Sequence, residues 1–186
     1  MRAGTAMGTA EKLLDAAEHR MRSGGFHAVS FRDLADDLSI KSASVHYYFR
    51  HKEDLGAAVV ARYRDRFLAD LDARIDGADD PKARVEAMVE AFRAALSNAD
   101  QVCLCGVMGA ESLGLPEPVR KEVAAFMVDC VNWLADGYKS AGHPPDRARA
   151  RALTLIAALE GAMILAVATA DDGAFDVVAD QLLRQA

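Results

Sequence analysis

Apolar residues recur at intervals of three and four positions along most of the chain, which is the period of one face of an α-helix. The first such stretch follows Thr9, a candidate N-cap, and stops at the pair Gly24-Gly25, where a left-handed residue can end a helix. Sustained alternation of apolar and polar residues, which is typical of a half-buried strand, does not occur in the sequence. The spacing therefore predicts an all-α protein.

Two short helices are predicted next, separated by three or four residues. Ser30 is a good N-cap for the first, with Asp33 three residues later as a short form of the capping box. The apolar stripe of this helix consists of Phe31, Leu34, Ala35 and Leu38. Ser42 is the candidate N-cap of the second helix, in which Val45 and Phe49 face inward. Two short helices that follow a first helix in this way describe a helix-turn-helix.

Six more helices are predicted in the remainder of the chain, which makes about nine in total. The fourth is long, with a predicted end at Asp76, and its inward stripe comprises Leu55, Val59, Tyr63, Phe67, Leu71 and Ile75. The helices after it are predicted over residues 81–97, 107–114, 117–140, 147–169 and 175–183. We divide the chain into an N-terminal domain, residues 1–53, and a C-terminal domain, residues 54–186, because the stretch Arg50 to Lys52 most resembles a domain boundary.

Residues 41–55 differ in composition from the rest of an acidic, alanine-rich chain. They contain two serines, three lysines or arginines, two histidines, two tyrosines and a phenylalanine. The net charge of −6 falls wholly on residues 57–186, because eight basic and eight acidic residues balance within residues 1–56, where four of the five histidines also lie. A polyanionic partner would therefore prefer the N-terminal part.

The second helix of a helix-turn-helix enters the major groove of DNA, and here that helix is Ser42–Tyr48. Small residues near its start allow close approach to base edges, while hydroxyl, imidazole and phenol groups can bond to bases or phosphates. Lys52 places a positive charge beside the free N–H groups that open the fourth helix, and this combination can hold a phosphate. The candidate DNA-binding residues are Ser30, Arg32, Lys41, Ser42, Ala43, Ser44, His46, Tyr47, Tyr48 and Lys52.

The stretch SFRDLADDLSIKSASVHYYFRHKEDL resembles the N-terminal signature of the TetR family of bacterial transcription regulators. The residues in register with that signature are Ser30, Leu34, Ala35, Ile40, Ser44, Phe49, Lys52 and Leu55. Three positions depart from it. His46 stands where the family usually has tyrosine, Tyr48 where it has histidine, and Ser39 where it has the glycine of the turn. The kinds of side chain that contact DNA in the family are therefore kept, but their order is permuted.

The resemblance implies that helices four to seven enclose a pocket for a small-molecule effector and that helices eight and nine form a homodimer interface. The sequence supports the second expectation independently. Helix eight is apolar on nearly all faces, and its Gly161 and Ala162 are small enough for a partner to approach closely. Helix nine offers a matching apolar face, made of Phe175, Val178, Leu182 and Leu183.

Twelve residues are candidates for the effector pocket, although ordinary core packing is the alternative for each apolar one. They are Met88, Phe92, Cys103, Cys105, Met108, Glu111, Phe126, Met127, Cys130, Trp133, Glu160 and Met163. Glu111 either faces a polar group of the ligand or is solvated. Glu160 is isolated in an apolar helix, and it either pairs with an arginine such as Arg93 or Arg151, pairs across the dimer, or contacts the effector.

Three cysteines, an odd number, are too few for a disulfide framework and fit a reducing cytoplasm. No group of cysteines and histidines has the spacing of a metal site, and we expect neither a metal nor a cofactor. Residues 152–170 are long enough to span a membrane, but Glu160 near their middle makes that costly. We therefore expect a cytoplasmic protein, without membrane contact, in which this helix is buried in a bundle or at a subunit interface.

The leading hypothesis is a ligand-responsive repressor, a homodimer that binds a near-palindromic double-stranded DNA operator and is released by an unknown effector. One alternative is a small helical enzyme that uses the thiol of Cys103 or Cys105. It is disfavoured because no His lies near these cysteines in sequence and no Gly-rich phosphate loop is present. The other is a helical adaptor that binds another protein through its apolar C-terminal part. Salt-dependent retention on DNA distinguishes the repressor from both.

Overall fold

A computed structural model describes residues 8–75, 77, 80–97, 102–171 and 173–185. These residues form nine α-helices and two 3₁₀ turns, without a strand. The helices are α1 (Thr9–Gly24), α2 (Phe31–Asp37), α3 (Ser42–Tyr48), α4 (Lys52–Ile75), α5 (Pro81–Ser97), α6 (Leu104–Ala110), α7 (Glu117–Ser140), α8 (Pro145–Thr169) and α9 (Ala174–Leu183). The 3₁₀ turns cover Phe26–Ala28 and Ser112–Gly114. The prediction of an all-α protein with about nine helices is confirmed.

The predicted start of α2 and the predicted end of α1 are confirmed. The Ser30 hydroxyl accepts a hydrogen bond from the Asp33 N–H at 3.1 Å, so it caps α2 as predicted. Gly25 ends α1 with φ 75°, and its N–H bonds to the Met21 carbonyl. This left-handed conformation is one that glycine adopts without steric cost. The predicted helix end at Asp76 lies outside the described residues.

Two predicted N-caps and one predicted helix start are wrong. The N-cap of α1 is Gly8 rather than Thr9, because the Gly8 carbonyl already accepts the first helical bond, from Lys12. The N-cap of α3 is the extended Lys41, so Ser42 is the first residue of the helix. Helix α6 begins at Leu104, three residues before its predicted start, and Cys103 is its N-cap. Burial of Leu104 and Cys105 in the core accounts for the earlier start, and the last three residues of the predicted helix form the 3₁₀ turn Ser112–Gly114.

A C-terminal cap on α2 sets the turn of the helix-turn-helix. The Ile40 N–H bonds back to the Ala35 carbonyl at 2.9 Å, and the Ser39 N–H bonds to the Asp36 carbonyl at 3.1 Å. These two bonds form a Schellman motif, which requires a left-handed residue between the helix and the apolar residue that follows. Ser39 takes that conformation, with φ 52°, at the position where the TetR signature has glycine. The turn thus keeps its geometry with a strained residue.

The core runs without interruption from the N-terminal helices into the C-terminal bundle. Val45, fully buried, anchors α3 against α2. Helix α4 packs against α1 on one side and against α5 and α7 on the other, and its predicted stripe is buried up to Leu71. Helix α6 lies between α1 and α7, and α8 lies between α7 and α9. The N-terminal helices are therefore packed directly on the bundle.

Two expectations about the outer face of the bundle are wrong. Ala162 is 2% exposed and belongs to the inner face of α8. The predicted apolar stripe of α9 also turns inward, since Phe175 is buried and Val178, Leu182 and Leu183 pack against the core. The large apolar residues of α8 and α9 that remain exposed are Leu153, Ile164, Leu165, Val167 and Val177.

We predict that Ser39→Gly stabilises the protein by about 0.5–1 kcal/mol, because glycine removes the steric cost of the left-handed residue but has more conformational freedom to lose. Urea unfolding followed by circular dichroism measures the change. The matched control is Ser44→Gly inside α3, which should destabilise by a similar amount. Equal destabilisation by both substitutions would contradict the assigned cap.

Candidate DNA-binding surface and effector site

Helix α3 is held by its inner face and presents its outer face to solvent. Val45 is buried and Phe49 packs against the core, whereas Tyr47 is 83% exposed. The predicted DNA-contacting residues that are exposed are Arg32, Lys41, Ser42, Ala43, His46, Tyr47 and Tyr48. Those that are partly buried are Ser30, Ser44 and Lys52. The structure thus places the candidate residues on and around one accessible helix.

Neighbouring rings fix the orientation of the aromatic residues on this surface. His46 packs edge-to-face against Phe31 on α2, with 4.8 Å between the ring centres. Tyr47 and Tyr48 pack edge-to-face on each other at 5.1 Å. Because each ring has a neighbour, the permuted histidine and tyrosines form a shaped surface rather than three independent side chains.

Lys52, at the first position of α4, is more enclosed than the sequence suggests. Its Nζ lies 4.4 Å from the centre of the Phe26 ring, a cation–π geometry. Burial lowers the pKa of Lys52, and the nearby Glu111 carboxylate offsets part of that effect. Lys52 is therefore placed by the turn after α1 and by the residue that follows α6.

Glu111 connects the bundle to the helix-turn-helix. Its Oε2 accepts a hydrogen bond of 2.9 Å from the backbone N–H of Phe26, and its carboxylate fills the space that a side chain at Gly25 would need. Glu111 was a candidate for the effector pocket, but its carboxylate is directed to the turn that follows α1. Gly25 is thus required both by its positive φ and by this close approach.

Arg22 makes a second connection, which the sequence did not reveal. Its Nη2 donates to the Ala95 carbonyl at 2.7 Å, and its Nε donates to the Val102 carbonyl at 3.2 Å. The last turn of α1 is thereby joined to the end of α5 and to the residues that precede α6. In the sequence Arg22 is indistinguishable from a solvated charge, and the partners that define its role are backbone carbonyls more than seventy residues away.

The interior of the bundle gathers most of the candidate pocket residues. Those that are buried are Met88, Phe92, Cys103, Cys105, Met108, Phe126, Cys130 and Met163. Their neighbours include a chain of aromatic rings, Tyr63, Phe67, Phe92 and Phe126, with centres 5.2 to 6.0 Å apart. A surface cleft of about 590 Å³ between α7, α8 and α9 is lined by other residues.

Two candidates lie nearer the surface. Trp133 is partly buried, donates its Nε1–H to Asp72 at 2.7 Å, and is covered by the Arg84 guanidinium at 4.6 Å. Met127 is partly buried and extends to Gly109 on α6. The indole of Trp133 has its polar partner within the protein, so packing between α4, α5 and α7 accounts for it.

Glu160 points into the protomer from α8. Both carboxylate oxygens are buried without a hydrogen-bond partner of normal geometry in the part of the chain that the structure describes. The carboxylate abuts Gly106, where a side chain would collide with it. Burial, partly offset by the Cys103 thiol beside the carboxylate, raises the pKa of Glu160 to about 7. The inward direction makes pairing across a dimer wrong for this conformation.

Neither arginine considered as a partner of Glu160 serves that role. Arg93 pairs with Asp176 at 2.9 Å and with Glu90. The Arg151 guanidinium lies 5.5 Å from the centre of the Tyr138 ring. The predicted arginine pairing is therefore wrong.

The three cysteines are buried free thiols. Burial raises the pKa of each, and the charge of Glu160 adds to the effect on all three. The thiolate is the reactive form, so this conformation disfavours the thiol chemistry considered from the sequence. Among the described residues no group of three or more His, Cys, Asp or Glu side chains could hold a metal ion.

Comparisons with known proteins agree with this architecture. Residues 13–59 match the family model described as bacterial regulatory proteins, tetR family. Residues 81–181 match the model of the C-terminal domain of LmrA/YxaF-like transcriptional regulators. A TetR transcriptional regulator from Legionella pneumophila has the same fold, with a TM-score of 0.92, 26% identity, and coverage of 98% of this chain and 99% of that one.

Two curated relatives are also regulators. The transcriptional regulator AcuR of Cereibacter sphaeroides is 28% identical over 150 residues, which cover 73% of this chain and 67% of AcuR. The nicotine-responsive transcriptional repressor HdnoR of Paenarthrobacter nicotinovorans is 27% identical over 82 residues, 44% of this chain and 42% of HdnoR.

The exposed α3 on an all-helical bundle defines a helix-turn-helix DNA-binding protein. With both parts of the chain matched, the protein belongs to the TetR family of bacterial transcriptional regulators. It is a ligand-responsive DNA-binding regulator, of a family that binds DNA operators as dimers, and its relatives are regulators rather than enzymes.

We predict that Glu160 makes stability fall as pH rises from about 4.5 to about 7. The folded protein keeps its proton over this range while the unfolded chain, with an ordinary pKa of 4.5, has lost it, so the loss reaches about 3 kcal/mol. Urea unfolding of wild type and Glu160→Gln at pH 5 and pH 8 measures it, with the exposed Glu86→Gln as control. Parallel pH profiles for all three proteins would contradict the assignment.

Proposed function

We propose that the protein is a homodimeric, cytoplasmic repressor that binds a near-palindromic operator through α3 and is released by a small-molecule effector. The observation that carries the proposal is the exposed outer face of α3, with aromatic and polar groups on a helix anchored by Val45. The relative HdnoR is by name a nicotine-responsive repressor, which supports repression and an organic effector. The two-domain division at residues 53 and 54 is part of the proposal.

The DNA contacts divide into two kinds. Ala43, Tyr47 and His46 lie on the exposed face of α3, where side chains reach base edges in the major groove. Lys41, Arg32 and Lys52 supply positive charge for phosphates. Lys52 is partly buried against Phe26, so its ammonium would contact a phosphate with little conformational freedom left to lose.

The dimer forms through the outer face of α8, with a contribution from α9. Leu153, Ile164 and Leu165 are 45% to 54% exposed on α8, and Val177 is 71% exposed on α9. Exposed apolar patches of this kind mark protein interfaces. A dimer also suits the single recognition helix of each protomer, because two such helices about 34 Å apart reach successive major grooves.

Helix α8 is long and apolar enough to cross a membrane by length and composition. A core helix of a soluble protein passes the same test, and α8 buries its inner face against α7 and α9. A dimer interface accounts for its outer face without a bilayer.

The effector signal reaches the helix-turn-helix through the residues around α6. Glu111 bonds to the turn after α1, and Arg22 bonds to the carbonyls before and after the α5–α6 connection. An effector that favours another position of α6 would therefore shift the two recognition helices away from the operator spacing. Such a shift requires the effector to bind the non-DNA state more tightly.

Operator binding should distinguish the role of Lys52 from the role of Tyr47. We predict that Lys52→Ala weakens binding to operator and random DNA alike and lowers the salt slope by roughly one unit. Tyr47→Ala should weaken operator binding more than random binding. Fluorescence anisotropy titrations at several salt concentrations measure both, with Lys121→Ala on α7 as control. An unchanged salt slope would show that Lys52 does not contact a phosphate. If Tyr47→Ala weakens binding to operator and to random DNA equally, Tyr47 contacts the DNA backbone rather than the bases.

We predict that Ile164→Arg yields monomers, because an unpaired charge buried in an apolar interface is costly. Operator affinity should fall at least roughly tenfold, since one protomer then reads one half-site. Light scattering gives the mass, and Leu113→Arg, at a fully exposed apolar site outside α8 and α9, is the matched control. A stable Ile164→Arg dimer would place the interface on another face.

A further inference from the structure

The charge of Glu160 has no partner in the part of the chain that the structure describes. Its two carboxylate oxygens are buried and lack hydrogen bonds of normal geometry. A buried carboxylate is costly unless it is paired or protonated. Neither Arg93 nor Arg151 offsets this charge, because both are engaged elsewhere. The ionised carboxylate of Glu160 therefore lacks a positive charge to pair with.

The groups around the carboxylate have a consistent chemical character. The Cys103 thiol lies next to Glu160 and accepts the hydroxyl of Tyr63 at 3.6 Å. The Tyr63 ring stacks on Phe67 at 6.0 Å and leans against Phe126 at 5.6 Å. The negative carboxylate is thus connected through two weakly polar groups to a wall of aromatic rings.

An unpaired carboxylate that is connected through Cys103 and Tyr63 to a group of aromatic rings is suited to one class of ligand. Ring faces attract cations electrostatically, and quaternary ammonium groups are bound in proteins by aromatic cages. An anionic ligand would meet the charge of Glu160, and an uncharged apolar ligand would leave the carboxylate unpaired. A protonated amine or quaternary ammonium ion satisfies both the carboxylate and the rings.

We propose that Glu160, with Tyr63, Phe67 and Phe126, binds a small organic cation, a protonated amine or quaternary ammonium compound, as the effector. The proposal rests on the proposed function for its regulatory consequence, but the binding site is argued from the residues alone.

Helix α6 has to shift to admit such a ligand, and its composition suits such a movement. It has two glycines in seven residues, Gly106 and Gly109, and glycine weakens a helix interior. Gly106 faces Glu160 directly, with no side chain between them. Met108 on α6 and Met163 on α8 are fully buried, and methionine adapts its shape to a new neighbour. A cation that enters beside Glu160 therefore displaces α6, which Glu111 follows directly.

The test compares a cation with its uncharged isostere. The probes are tetramethylammonium, benzyltrimethylammonium, and neopentylbenzene, in which carbon replaces the charged nitrogen. Calorimetry and thermal unfolding at pH 8 measure binding to the full chain as wild type, Glu160→Gln and the control Glu86→Gln. We expect benzyltrimethylammonium to bind wild type and the control at least roughly tenfold more tightly than neopentylbenzene. Glu160→Gln should lose that preference while remaining folded.

Operator binding without any probe is measured first, by anisotropy. If operator binding is intact and neither cation binds wild type, the cation site is overturned and the repressor proposal stands. Equal binding of the cation and its isostere, or an unchanged preference in Glu160→Gln, also overturns the site. Glu160-dependent cation binding supports the site, and a concurrent loss of operator affinity identifies the cation as an effector. If the cation binds through Glu160 while operator affinity does not change, the effector role is overturned.

Discussion

The hydrogen bond from the Phe26 N–H to the Glu111 carboxylate connects the two parts of the molecule. Several local features depend on it. Gly25 has no side chain where the carboxylate approaches. The Lys52 ammonium lies over the Phe26 ring, and the charge of the same carboxylate acts on it. The turn after α1 is therefore defined by a residue of the bundle. A change in the position of α6 would first move this turn, and then the α2–α3 pair that follows it.

Helix α6 is poorly suited to be a rigid element on its own. It is seven residues long and contains two glycines, whereas isolated helices of this length are unstable in water. Its position depends on packing against α1, α4 and α7 and on Glu160, which occupies the space beside Gly106. A short helix held mainly by its neighbours can shift when one of those neighbours changes, which suits an element between a ligand site and a DNA-binding surface.

Local sequence signals predicted the elements but not the long-range roles of charged residues. The stripe of α4, the cap at Ser30 and the span of α3 follow from spacing and backbone chemistry within a few residues, and all three are confirmed. Arg22, Glu111 and the inward stripe of α9 depend on packing between distant segments. A carboxylate after Gly-Ala can equally face a ligand, solvent or a backbone N–H, and only the fold decides between them.

The two faces of α8 carry different kinds of side chain. The inner face carries Leu159, Met163 and the inward carboxylate of Glu160, whereas the outer face exposes Ile164 and Leu165. If the outer face pairs two protomers as proposed, the helix that holds the ligand charge is also the helix that sets the distance between the recognition helices. Ligand binding and dimer geometry would then depend on one rigid segment. Burial of both faces would then account for the apolar sequence of α8, which resembles a membrane span.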